Sequence, residues 1–308
     1  MRIKRFQNKV AESRYTLPFT SAYAILLCLV GGMFANGMWG QFALLALSSY
    51  LIMELNNVNA LIRIYSRMVS CSYLALTVMA FFLLDDIRCC ILPVCMVAFY
   101  LFLFSAYQDK GAVGRVFYAF VMLGVASVFF VKILYFLPIF WLLMFTNIMC
   151  GNIRTVMSSL FGIVLPYWFI GAYYLFLGNM DDIYMHFAML ADFDIMADWQ
   201  NVEPHRLITI AFVAVLALTG MIHFRLNNYK DKIRTRMLFE IFSVVDICIL
   251  LFMALQPAYN DELLALLLVN TAPLIGHYIA LTNTLITNIS FYFILVATAG
   301  ITIFNIWM

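Results

Sequence analysis

The sequence predicts an all-α fold: a polytopic transmembrane bundle of about eleven helices, forming one integral membrane domain over residues 1–308. Three observations predict it. First, 65% of the residues are apolar and 11% charged, against about a quarter charged in a soluble domain; a water-soluble fold has too little interior to hide that excess. Second, apolar runs of the length a bilayer requires, about 20 residues as helix, follow one another at short intervals. Third, the basic residues sort to alternate connections.

The predicted spans are 18–35, 40–57, 67–84, 88–106, 114–131, 134–150, 155–177, 206–224, 237–255, 262–280 and 287–306. The chain opens on a basic stretch, Met1 to Tyr15, which resembles the start of a signal peptide. No small-residue cleavage site closes a short apolar core, so the first run reads as a retained helix. Asn36-Gly37-Met38-Trp39-Gly40 is a hairpin turn into the second. Glu54 opens an unusually polar end to that helix, and Glu240 occupies a similar place later; both read as interfacial anchors. Asp85-Asp86-Ile87-Arg88 is a second tight turn. The division at Val131-Lys132 rests on a single basic residue. Thr282 to Asn288, polar but uncharged, separates the last two spans.

Placing the N-terminus in the cytoplasm and alternating sides puts fifteen of the eighteen basic residues inside. Only Arg88, Lys132 and Arg206 fall outside. This positive-inside bias sets the orientation. The basic loop Arg225 to Arg236 then lies inside as a topology signal and anionic-headgroup contact. The longest polar stretch, Gly178 to His205, lies outside, which in a bacterial inner membrane is the periplasm. Its interleaved Tyr184, Phe187, Phe193 and Trp199 place it on the membrane interface rather than in open water.

Ionisable groups within the membrane are costly, so each is a functional candidate. Asp246 sits midway along its span. Asn270 lies at similar depth on the next span, and His277 two turns further toward the cytoplasm. The hairpin sets Asp246 against Asn270, either as a proton- or ion-binding site or as a polar fastening between helices. In the outer stretch, Asp182 and His186 share a helix face at i, i+4, with Asp192, Asp194 and Asp198 following. Asp182 and His186, with Asp85 and Asp86, form the candidate catalytic set. Carboxylates with imidazole suit a hard divalent cation, though no metal motif is present and no cofactor is implied. The seven cysteines have no C-x-x-C spacing. No P-loop or hydrolase order appears, and no basic, aromatic-interleaved patch suggests nucleic acid.

Tyr107-Gln108, Val116-Phe117-Tyr118-Ala119-Phe120 with Gly124-Val-Ala126-Ser127, Leu137-Pro138 and Gly162-Ile-Val-Leu-Pro166-Tyr167-Trp168 resemble an uncharacterised family of multi-spanning inner-membrane proteins of Bacteroidota. The same run resembles, more distantly, the membrane core of GT-C-type glycosyltransferases that use polyprenyl-linked sugars. That superfamily carries an acid in its first outer loop; here Asn36 to Gly40 has none, and Asp85 and Asp86 stand in the second.

Three functions are expected from these readings. One is envelope or surface-glycan biogenesis, handling a lipid-linked substrate, with Asp85, Asp86 and the outer loop lining a lateral cavity. Another is a proton- or ion-coupled secondary transporter centred on Asp246, Asn270 and His277. The third is a non-catalytic scaffold holding a membrane-protein partner.

Overall fold

A computed structural model describes residues 5–178, 180–192, 199 and 202–307, the side chains of Met180 and Asp182 apart. Asp194 and Asp198 lie outside the described residues. Among these residues the chain forms thirteen α-helices and no strand. They are α1 (Phe6–Glu12), α2 (Thr16–Val30), α3 (Trp39–Asn59), α4 (Met68–Met79), α5 (Ile87–Ser105), α6 (Val113–Phe129), α7 (Leu137–Thr146), α8 (Ile153–Leu177), α9 (Met180–Ala191), α10 (Pro204–Asn227), α11 (Ile233–Leu255), α12 (Asn260–Leu281) and α13 (Leu285–Trp307).

The bundle is built around α12. Every residue from Leu263 to Ala280 is buried, which fits a helix apolar on all faces. Helices α4, α5, α10 and α11 enclose it, and α1 covers its C-terminal end. Gln7, fully buried, donates from Nε2 to the Ile279 carbonyl and the Thr282 hydroxyl, both at 2.7 Å. A smaller apolar cluster, including Ala24, Cys28, Leu45, Val78 and Phe81, joins α2 and α3 to α4.

The outer faces invert the soluble pattern. Helices α8 and α13 present Phe161, Trp168, Phe176, Ile286 and Val296 outward, with Phe176 88% exposed. Among the described residues six helices are long and apolar enough to cross a membrane: α5, α8, α10, α11, α12 and α13. At 1.5 Å per residue the 25 residues of α8 reach about 37 Å.

All eleven predicted runs fall on helices, but not all as continuous ones. Residues 134–150 form a 3₁₀ turn over Val131–Phe136 and then the ten-residue α7. Pro138 explains the break, since proline starts an α-helix easily but cannot sit in its interior without losing a hydrogen bond. Residues 67–84 likewise become α4 plus a 3₁₀ turn over Phe81–Leu84. Two further helices, α1 and α9, are additions to the predicted set.

Charge divides the two ends of the bundle. One end carries Asp85, Asp86, Glu203, Asp261 and Glu262 around Arg206, whose Nε donates to Glu203 at 2.9 Å and whose Nη1 pairs with Asp261. The other carries α1, Arg63, Arg67 and Arg234, with Arg234 Nη2 donating to Asn59 at 2.9 Å. Between them α6 and α8 form the most extensive helix pair. A Cβ on Gly124 would meet the Ile163 carbonyl at 2.8 Å, and one on Gly162 the Phe117 carbonyl at 2.7 Å. Small residues at a crossing let backbones approach this closely.

Candidate functional site

The central helix brings three of its polar side chains to two separate places. Midway along α11, Asp246 is fully buried. Its Oδ2 accepts from the Thr271 hydroxyl at 3.2 Å. Its Oδ1 has no hydrogen-bond partner. Asn270, also fully buried, turns the other way: its Oδ1 accepts from the Tyr100 hydroxyl at 2.5 Å, and its Nδ2 donates to the Leu266 carbonyl at 2.9 Å. The expected pairing of Asp246 with Asn270 is therefore replaced by a pairing with the next residue, Thr271. Successive residues on a helix are 100° apart, so a modest rotation of α12 decides which one faces α11. The result is a polar seam through α5, α11 and α12 within an apolar core. Pro273, two residues on, has no N–H, so the Val269 carbonyl lacks its helical donor.

His277 belongs to a second cluster at the basic end. Its Nε2 lies 3.0 Å from Asp231 Oδ2, and Arg63 Nη1 lies 3.5 Å from the other carboxylate oxygen. Asp231 stands in the loop before α11, so the cluster ties that loop to the core. Aromatic rings enclose the imidazole, with Phe239 at 4.9 Å and Phe224 at 5.3 Å. His223 lies alongside at 5.7 Å. His277 Nδ1 and His223 Nε2 are buried without hydrogen-bond partners.

A polar cleft of about 360 Å³ opens beside α11, lined by Asn147, Arg225, Asn228, Glu240 and Ser243. Asn147 Nδ2 donates to Glu240 at 2.9 Å. Ser243 is three residues from Asp246, which puts the two side chains one helical turn apart on adjoining faces.

The outer candidates sit elsewhere. Asp85 and Asp86 are exposed at the turn before α5. Asp86 Oδ1 accepts from the Arg88 backbone N–H at 2.8 Å, the bond of a helix N-cap. Partial burial raises the Asp85 carboxyl above its ordinary range, against the pull of Arg206. His186, on α9, does not turn toward them. Its Nε2 lies 3.2 Å from the Ser127 carbonyl on α6 and 3.3 Å from the Tyr167 hydroxyl on α8. A carbonyl only accepts, so the Nε2–H tautomer is the one this contact requires. Burial lowers the His186 imidazole from its usual range, partly offset by the Ser127 carbonyl. Asp182 lies on α9, but its side chain is outside the described residues. Among the described residues no group of three or more His, Cys, Asp or Glu side chains could hold a metal ion.

Sequence reading missed Lys132 as more than an outer boundary. Only 2% of it is exposed. Its Nζ donates to the Asp192 carbonyl at 2.8 Å and to Gln256 Oε1 at 3.3 Å, and stands 3.9 Å from the centre of the Tyr259 ring. The signal was present: one cation inside Phe129-Phe-Val-Lys-Ile-Leu-Tyr-Phe136. No protein-family model, curated protein or solved structure matches the chain.

Proposed function

We propose that the protein is a multi-pass membrane protein that binds and releases a proton at Asp246, acting as a proton-coupled secondary transporter. The observation that carries this reading is the carboxyl itself: fully buried, partnered at one oxygen only by a hydroxyl, and unpartnered at the other. An ionised carboxylate so placed costs several kcal/mol, so it takes up a proton when enclosed and gives it up when water reaches it. The cleft ending at Ser243 supports a route from the basic end, and the Tyr100–Asn270 pair supplies polar groups on the far side of α12. In this reading all eleven apolar segments cross a bacterial inner membrane. The N-terminus and the cleft face the cytoplasm, and the Gly178–His205 stretch faces the periplasm.

The test is infrared spectroscopy of the protein in proteoliposomes. A protonated-carboxyl band that shifts in D₂O within minutes and is absent from Asp246→Asn supports the proposal. A band that never exchanges makes Asp246 a fastening between α11 and α12. A second reading, handling of a lipid-linked substrate in envelope or surface-glycan assembly, is favoured by a lateral groove between α2 and α13. That groove carries no carboxylate in its lining.

A further inference from the structure

The groove has a definite construction. It encloses about 650 Å³ between α2 and α13, over a floor of α4 and α12, a volume within the ~300–1,000 Å³ of small-molecule sites. Leu76, Leu216, Ile275 and Ile279 make its deep wall. Toward the acidic end the Tyr23 hydroxyl donates to Thr302 Oγ1 at 3.3 Å, bridging the two helices that form its sides. Toward the basic end α1 closes it, contributing Phe6, Val10 and Lys9. Between these ends it opens sideways to the bilayer.

Two features of the lining point to a ligand. Lys9 is the one cation in the lining, is exposed at the mouth, and has no acid in ion-pair range among the described residues. Ser72, on the floor one turn inside the start of α4, is 93% buried by its 7% exposure, and its hydroxyl has no hydrogen-bond partner. A buried unpaired hydroxyl is costly, and an acceptor arriving with a ligand removes that cost. An apolar trough, a donor just below the surface and a cation at the rim match three parts of one molecule in the same order: an acyl chain, its ester carbonyl and a phosphate.

We infer that this groove holds an anionic phospholipid of the leaflet on the N-terminal side. Its acyl chain lies over Leu76 and Leu216, its ester carbonyl accepts from Ser72, and its phosphate meets Lys9. The inference rests on the chain being embedded in a bilayer and not on proton binding at Asp246.

Native mass spectrometry of the purified protein, offered phosphatidylglycerol and phosphatidylcholine of identical chains at equal concentration, tests it. The wild type is expected to retain one phosphatidylglycerol at least fivefold in preference to phosphatidylcholine. Lys9→Glu, at an exposed position, is expected to abolish the preference. Ala75→Phe, which fills the floor of the groove, is expected to lose the retained lipid while Lys9→Glu keeps its melting temperature as the folding control. Equal retention of the two lipids by the wild type overturns the inference. So does an undiminished preference in Lys9→Glu. Preferential uptake of a polyprenyl phosphate over phosphatidylglycerol also overturns it, and assigns the groove to the lipid-linked substrate instead.

Discussion

Lys132 Nζ donates to the backbone carbonyl of Asp192 at 2.8 Å, and so fastens the end of α9 to the interior of the bundle. Tyr135, one turn away, donates its hydroxyl to the Leu190 carbonyl. Two side chains of a single 3₁₀ turn therefore hold the last residues of α9. Lys132→Met keeps the apolar stem and removes the ammonium with its ring contact. Losing a charged hydrogen bond and a cation–π contact costs on the order of 2 kcal/mol. Amide exchange over residues 180–192 is expected to accelerate roughly thirtyfold, with exchange in α12 unchanged. Equal exchange in both proteins would show that α9 is held by other contacts.

The other end of the α9 attachment responds to pH. Burial lowers His186, so the folded protein binds its proton more weakly than the unfolded chain does. The stability this group contributes is present in full above the ordinary histidine value, about 6.5. It is lost as pH falls below that value and on through the lowered folded-state one. Protection of α9, corrected for intrinsic exchange, should therefore decline between about pH 7 and pH 5. His186→Gln, which retains a donor for the Ser127 carbonyl, should flatten the decline. A pH profile identical in the variant would rule out His186 as its source.

Asp246 and Thr271 can be weighed by a double-mutant cycle. Hydrogen bonds between membrane helices average about 0.6 kcal/mol and reach ~1.7. Asp246→Leu, Thr271→Val and the double variant should give a coupling in that range. Because Oδ1 is unpaired, Asp246→Leu is expected to leave thermal stability unchanged or raised, while abolishing the exchangeable carboxyl band. A large loss of stability in the single variant would mark the acid as structural.

Gly162→Leu forces side-chain atoms against the Phe117 carbonyl. Overpacking of this kind costs about 1–3 kcal/mol, and the backbones of α6 and α8 must separate. A melting temperature lowered by several degrees is expected. Gly171→Leu on the same helix, where nothing lies within 4 Å of the added Cβ, should leave it unchanged.

The positions of the helices were legible because each polar cluster ends a run: the first residues of each, Asn36 to Met38, Asp85-Asp86 and Thr282 to Thr284, fall between helices, and the rest open the helix that follows. Burial was legible too, since Asp246, Asn270 and His277 each lie buried on the helix expected. What stayed hidden was rotation about each axis, which chose Thr271 over Asn270 as the partner of Asp246 and drew His277 to Asp231. A pattern apolar on every face, as in α12, carries no moment to announce its orientation. The groove was hidden for a different reason: its lining comes from six helices far apart in sequence. Lys132 read as a boundary because a lone cation between apolar runs marks an exit from the membrane more often than a tie within the fold.

The enclosure of α12 has a consequence for how the protein is made. Eleven of the described helices leave the ribosome before the one that α4, α5, α10 and α11 enclose. Until Asn260–Leu281 arrives, α4, α5, α10 and α11 have no common partner, and Asp246 and Tyr100 stand open to lipid or to one another. The slot must stay unfilled through most of synthesis, or be filled by something that later yields it. A chain truncated before residue 260 and released is therefore expected to be a substrate for membrane quality-control proteolysis, whereas one truncated just after residue 281 already holds its keystone.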